Sequence, residues 1–317
     1  MDTVLRSRAG ARLNAFFAGL VGIFLLVGGC GGGSSSPSGD AAAEQSSDPP
    51  RIVVVSHGQA ADPNWSIFQS GVQAAGEETG VRVQYQAPES FDMVALGQMI
   101  DAAVATDPDG MVVTIPNADA LDEPISKAVE AGIPIITANS GSTVSDSLGA
   151  LLHVGQPEYE AGRRAGERLA ESGLDQVLCV NMEVGNVALD RRCRGISDAM
   201  ADAGGSSEVL AVELADPTET QQRVQAALAS NPEVDGLITM GPTAAGPTLR
   251  ALEDAGASET ITLATFDLSE EIFEAIENGR IAFAVDQQFF LQGYLPVSLL
   301  ALHIRRSHMV QNDVIAT

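Results

Sequence analysis

The sequence predicts an α/β protein built as two doubly wound lobes in succession. Three observations carry that expectation. Residues Arg51 to Gly80 read as strand, loop and helix; the same unit recurs as far as Arg305; and residues 51–317 exceed one ordinary domain core. The 4% aromatic content and 32 glycines suit a chain of many tight turns.

The first unit sets the grammar. Ile52 to Val55 is a β-branched run with no polar face, as a fully buried parallel strand requires. Ser56 to Asp62 is polar, and apolar residues then recur at Ile67, Phe68, Val72 and Ala75, which gives a helix one stripe to lay on a sheet. Gly80 ends that helix, and a second strand alternates over Val81 to Tyr85. Helix Phe91 to Ala105, strand Gly110 to Ile115, helix Ala118 to Ala131 and strand Ile133 to Thr137 follow. A helix over Val154 to Ser172, closed by Gly173, leads to strand Val177 to Asn181, where the pattern restarts. Its helices are Asp190 to Ala203, Glu219 to Ser230, Ala244 to Ala255, Glu270 to Asn278 and Leu291 to Arg305. Its strands are Val209 to Leu214, Gly236 to Met240, Ile261 to Phe266 and Ile281 to Val285. In open α/β sheets the loops at the carboxyl ends of strands face the ligand crevice, so His57 to Trp65 is expected to line a site. Asp62, Asn64 and Trp65 there combine a carboxylate, an amide and an indole, which suits a sugar ring with apolar C–H faces and a hydroxyl rim.

Ahead of the first strand the composition changes twice. Arg6, Arg8 and Arg12 precede an uncharged apolar stretch from Ala15 to Gly29 that is short for a membrane-spanning helix and reads as an export signal. Gly28 and Gly29 before Cys30 resemble the lipobox of bacterial lipoproteins, in which the cysteine becomes the lipid-bearing amino terminus. Gly31 to Pro50 is rich in Gly, Ser and Pro and reads as a flexible tether. The net charge of −25 becomes more negative when the signal, with three Arg and one Asp, is removed. Such a polyanion repels nucleic acid.

Several chemistries lack their motifs. There is no G-x-G-x-x-G after a strand, no G-x-x-x-x-G-K-[ST] and no G-x-S-x-G. His57, His153, His303 and His308 show no metal-ligand spacing, so no metal and no cofactor are expected. An oxidising compartment permits a disulfide between Cys179 and Cys193; two buried thiols are the alternative.

The segments D-P-N-W, G-V-Q-A-A-G-E-E-T-G, D-G-M-V-V-T-I-P-N-A-D-A, A-G-I-P-I-I-T-A-N-S and T-F-D-L-S, in this order, resemble the periplasmic sugar-binding proteins of the ribose and galactose type. These are receptors of ABC importers, related to the effector domains of the lactose-repressor family. The resemblance, over nearly all of residues 51–310, implies the type I periplasmic binding protein fold: two Rossmann-like lobes joined by a hinge of three crossings and closing on one sugar. It implies a first-loop polar residue at Asp62 and a stacking aromatic at Trp65, with Asn64 where ribose binders have a second aromatic. Asn139 stands for the acid after the fourth strand, and Ser140 for an arginine. Asn186 and Arg192 match the polar and arginine pair of the second lobe, with Asp190 an alternative contact. Gly241 replaces an asparagine, Asp267 matches the acid after T-F, and Gln287 the amide at the last crossing. Other roles stay open: Asp267 or Ser269 as a helix cap, Arg192 in a surface ion pair with Glu183 or Asp190, and Trp65 as plain core.

The resulting expectation is a monomeric, lipid-anchored extracytoplasmic receptor for a small neutral sugar or polyol, delivering it to ABC permease subunits. It touches the membrane only through its lipid. Its segments are 1–29 signal, 30–50 tether, 51–154 with 287–307 the N-terminal lobe, and 155–286 with 308–317 the C-terminal lobe. Relatives of this type continue through another strand beyond Thr317. Removing Arg192 or Asp267 is expected to weaken binding and leave folding intact. The competing readings are a sensor presenting its occupied form to a membrane kinase or chemoreceptor, and an exported enzyme with His57 as base and Asp267 as partner.

Overall fold

The computed structural model describes residues 48–59, 62–308 and 313–317. The expected export signal, Cys30 and most of the tether lie outside the described residues. Strands β1 (Arg51–Val55), β3 (Gly110–Val113) and β4 (Ile135–Ala138) are buried at every residue except Arg51. With β2 (Arg82–Gln86), β5 (Leu152–Gly155) and β11 (Val314–Ala316) they form a parallel sheet in the order β11-β5-β4-β3-β1-β2. The period of two along β1 divides the core. Ile52 and Val54 pack under α1 (Pro63–Thr79) and α9 (Phe289–Arg306), while Val53 and Val55 pack under α2 (Met93–Val104) and α3 (Ala118–Glu130).

The second lobe repeats the design. Strands β6 (Gln176–Asn181), β7 (Ser206–Ala211), β8 (Gly236–Thr239), β9 (Thr262–Phe266) and β10 (Ala284–Val285) form a parallel sheet in the order β10-β9-β8-β6-β7. Helices α4 (Glu158–Glu171), α5 (Val187–Asp202), α6 (Pro217–Ser230), α7 (Pro242–Asp254) and α8 (Glu270–Glu277) belong to this lobe. Cys179 in β6 and Cys193 in α5 are joined by a disulfide. Two crossings of backbone on backbone matter for the site. A Cβ on Gly162 of α4 would sit 2.1 Å from the Arg192 carbonyl oxygen, and one on Gly195 of α5 2.2 Å from that of Tyr159, so these helices touch without intervening side chains.

The structure corrects the sequence reading at several places. Residues 313–317 do not join the second lobe: β11 pairs in parallel with β5, Val314 opposite His153 and Ile315 opposite Val154, and satisfies the open edge of the first sheet. The described chain therefore crosses between lobes twice, after β5 and after β10, rather than three times. The helix expected from Val154 instead begins at Glu158, because the segment up to Gly155 is the buried strand β5. Strand β7 lies three residues earlier than Val209 to Leu214, directly after the Gly204–Gly205 turn. In each lobe the order of strands reverses beside one central strand, β1 between β2 and β3 and β6 between β7 and β8, which opens a crevice at their carboxyl ends.

Candidate functional site

Asn139 follows β4 directly and Asp267 follows β9, at corresponding positions in the two lobes. Both have left-handed backbone, φ 60° and 66°, a conformation that Asn and Asp tolerate better than other non-glycine residues. Asp62 begins α1 as its N-cap, accepting from Asn64 N at 2.9 Å, and Asn186 begins α5 in the same way, accepting from Ala188 N at 3.0 Å. These strand ends and helix starts converge between the lobes.

The space they enclose is lined by His57, Asp62, Trp65 and Asn139 from the first lobe and by Met182, Glu183, Asn186, Leu189, Arg192, Met240 and Asp267 from the second, with Gln287 and Phe289 at the crossing. The lobes meet closely: the free space at its heart is about 20 Å³, enough for about one water. A larger opening of about 720 Å³ shares Asp62 with it and runs out between Pro63 and the starts of α6, α7 and α8. The smaller space is the candidate site, because the buried polar groups converge there; the larger one has prolines on its walls and serves as the mouth.

A hydrogen-bonded network spans the cavity. Arg192 forks onto Glu158 of α4 through Nε and Nη2, the latter at 3.1 Å, and Nη2 also donates to Gln287 Oε1 at 3.0 Å. Asn139 Nδ2 donates to Gln287 Oε1 at 3.1 Å and to Gln292 Oε1 at 2.9 Å, while Gln287 Nε2 donates to Asp267 Oδ1 at 2.7 Å. Gln287 thus ties the two lobes together. Asn186 Nδ2 donates to Glu183 Oε2 at 2.6 Å, and that oxygen lies 3.8 Å from His57 Nε2 across the cleft. His57 Nδ1 is bonded to Thr114 Oγ1 at 2.7 Å. Burial, with the Arg192 charge adding to it, pushes His57 down to about 3, so the ring is neutral. Burial raises Asp267 to about 7 against the pull of Arg192 and the Gln287 hydrogen bond, and raises Glu183 to about 7 against the Asn186 hydrogen bond. Asp62 is also raised, by burial first.

Of the residues expected from sequence, Asp62, Trp65, Asn139, Asn186, Arg192, Asp267 and Gln287 line the cavity. Asn64, Ser140 and Asp190 do not. Asn64 is buried just inside α1, and Ser140 stands behind Asn139, donating to its Oδ1 at 3.0 Å. Asp190 is exposed and accepts from Asn181 Nδ2 at 3.0 Å; Leu189 and Arg192, three residues apart, occupy the inward face of α5. Three of the open alternatives are decided. Ser269, not Asp267, caps α8, accepting from Ile272 N at 3.2 Å. Arg192 pairs with the buried Glu158, not with a surface acid. Trp65 is both core and wall: it packs on His57 and Phe289 at centroid distances of 4.7 and 5.5 Å, and a Cβ on Gly58 would lie 1.9 Å from its ring. The reason for expecting folding to survive loss of Arg192, that it fills no core, is corrected: among the described residues it heads the fully buried side chains by volume and lies 4.8 Å over the Phe266 ring. Sequence reasoning missed Glu158, Glu183, Gln292 and Phe289. Among the described residues no cluster of His, Cys, Asp and Glu is placed to hold a metal.

Two doubly wound lobes closing over a buried polar cavity define a hinged solute receptor. The chain belongs to the periplasmic binding protein family, whose model, described as a periplasmic binding protein domain, matches residues 52–307. The xylose/arabinose-binding protein XylF of Sulfolobus acidocaldarius is 26% identical over 269 residues, 80% of this chain and 66% of that protein. The chain thus spans just under two thirds of that relative's length. A crystal structure of a carbohydrate transporter from Acidothermus cellulolyticus in complex with myo-inositol superposes with a TM-score of 0.80 at 33% identity, covering 84% of this chain and 92% of that one. An ABC sugar transporter (periplasmic sugar-binding protein) from Legionella pneumophila gives 0.78 at 26% identity, covering 84% and 97%.

Proposed function

We propose that this protein is an extracytoplasmic receptor that binds one small sugar or polyol ring between its lobes and delivers it to the permease of an ABC importer, held to the membrane by lipid on Cys30. The observation that carries the reading is the cavity itself. Trp65 and Phe289 offer apolar rings to a C–H face, while Asp62, Asn139, Asp267 and Arg192 offer carboxylate, amide and guanidinium groups to hydroxyls from both lobes. A ligand held by both lobes binds the closed form better and shifts the population towards it. With room for about one water in the closed form, the ring enters while the cleft is open. The relatives named for xylose and arabinose, and the myo-inositol complex at 33% identity, support a pentose or cyclitol as the ligand class. No chemical step is assigned: the group facing His57 Nε2 is Glu183, at 3.8 Å, and not the Asp267 that the enzyme reading pairs with it.

Thermal melting of the mature protein against aldoses, ketoses, cyclitols and nucleosides tests this, because a ligand at a hundred times its Kd stabilises by about 2.7 kcal/mol. A shift with a pentose or cyclitol is expected. A response confined to nucleosides, or none to any ring polyol, overturns the reading. Cys30→Ser, expected to release the protein from membranes, tests the anchor.

A further inference from the structure

Charge around the cavity does not balance. Arg192 is the one cationic side chain lining it among the described residues, and its Nε and Nη2 are already engaged by Glu158. A guanidinium forked on a carboxylate is a neutral unit. Asp62, Glu183 and Asp267 remain, all facing the same space; among the described residues none of them makes an ion pair with Lys or Arg, and Glu183 faces only the His57 ring, at 3.8 Å. His57 is neutral and supplies no charge.

A buried carboxyl without an opposite charge relieves the cost by taking up a proton, and Glu183 and Asp267 are raised to about 7 in this way. A cation entering beside them would draw them back to the ionised form. A hydroxyl answers a carboxylate with one neutral donor, whereas an ammonium brings three donors and the missing positive charge. The unbonded nitrogens have their own meaning. Arg192 Nη1 and His57 Nε2 belong to side chains 2% exposed, line the cavity, and make no hydrogen bond among the described residues. Nη1 donates, and Nε2 donates or accepts according to the tautomer, so both suit the hydroxyls of a polyol. The site therefore offers donors to hydroxyl oxygens at Arg192 and unpaired carboxylates at Glu183, Asp62 and Asp267.

We propose that the physiological ligand is a ring polyol carrying a free amino group, an amino-deoxy sugar or aminocyclitol, with its ammonium seated against Glu183. This rests on the reading of the cavity as a polyol site and narrows it. Glu183 is the natural seat because Asn186 holds Oε2 and leaves Oε1 unbonded, at the loop where the second lobe faces His57 of the first. The same loop position bearing a neutral residue would leave a site for neutral rings.

The test is titration calorimetry of the full mature chain with matched pairs: glucosamine and glucose, galactosamine and galactose, amino-deoxy-inositol and myo-inositol, each amine also in its N-acetyl form. At neutral pH at least one amine is expected to bind ten times or more tighter than its hydroxyl counterpart, about 1.4 kcal/mol, and acetylation is expected to remove the advantage. Glu183→Gln, checked for folding by its melting curve, is expected to bring the amine-to-hydroxyl ratio to within about threefold. Neutral rings binding as tightly as their amines overturn this inference and leave the polyol receptor standing. So does an amine preference that survives Glu183→Gln. Binding of none of the rings, neutral or cationic, overturns both.

Discussion

Replacing Arg192 by Met isolates what the buried ion pair does. Arg192 and Glu158 are each 2% exposed, and the α4–α5 crossing at Gly162 and Gly195 brings backbone to backbone, so little water reaches the pair. Without the guanidinium, Glu158 is a buried carboxylate with no hydrogen-bonded cation, only the more remote charge of Arg191, and escapes by taking a proton. Starting from its ordinary value of 4.5, protonation at pH 7 costs about 3 kcal/mol at 1.36 kcal/mol per unit, within the 3–5 kcal/mol typical of breaking a buried pair. The variant's Glu158 then has a folded pKa above its unfolded one, so this contribution to stability is fully present below about 4.5 and lost as the pH rises. Urea unfolding of Arg192→Met is expected to show a deficit of about 3 kcal/mol at pH 7 that falls below about 1 kcal/mol at pH 5. Adding Glu158→Leu is expected to recover most of it, because replacing both partners by apolar groups removes the stranded charge. A deficit under about 1 kcal/mol at pH 7, or one independent of pH, refutes the argument. Affinity for the ligand is expected to fall about tenfold or more in the same variant, since Arg192 also holds Gln287.

Three further outcomes are expected. Paired replacement of Cys179 and Cys193 by Ala opens a loop of sequence separation 14 and is expected to lower stability by about 3 kcal/mol in denaturant titrations; a loss under about 0.5 kcal/mol would place the effect outside the chain-entropy account. Trp65, the single tryptophan, lines the cavity, so its emission is expected to shift when a ring polyol binds; unchanged emission at calorimetric saturation makes it purely structural. Asp267 and Glu183 have folded values raised to about 7, so the stability they contribute is present at low pH and lost as the pH rises through 7. Melting of the ligand-free protein is expected to decline between pH 6 and 8 by on the order of 1 kcal/mol per group, and less in Glu183→Gln; an equal decline in that variant would clear Glu183 of the effect. His57, lowered to about 3, acts in the other direction and only below 6.5, which leaves the alkaline half of that window to the two acids.

Most of the fold is legible in the sequence because parallel strands buried on both faces carry unbroken runs of Val and Ile, as in β1, β3 and β4. What escapes sequence reasoning is decided at long range. Strand β11 is three residues long and exists because β5 has an edge to pair with; nothing local in residues 314–316 says so. Strand β5 merges into the helix that follows it, although Pro157 was the available signal: it bars helix from the residue before it. The site divides in the same way. Asn139, Asp267 and Trp65 are found by their positions after strands, where the crevice must lie. Glu158 lies 34 residues from Arg192 on another helix and is brought to it by two glycines, a relationship visible only in three dimensions. Glu183 sits in a loop after β6, and its sequence gives no sign that its carboxylate is buried.

The correspondence between Asn139 and Asp267 explains how the cavity is both formed and opened. Each follows the fourth strand of its sheet's repeat with left-handed backbone, and both bond to Gln287, which lies in the crossing between β10 and α9. Asn139 Nδ2 donates to Gln287 Oε1 while Gln287 Nε2 donates to Asp267 Oδ1, so one side chain in the hinge links the two corners that must separate when the cleft opens. That network makes no use of the ligand. A ring that enters replaces bonds the closed form already has, and its affinity is the difference between two sets of hydrogen bonds rather than the sum of one. Groups with no hydrogen-bond partner among the described residues, Arg192 Nη1 and Glu183 Oε1 above all, are where a ligand gains without displacing a bond, and specificity is concentrated there.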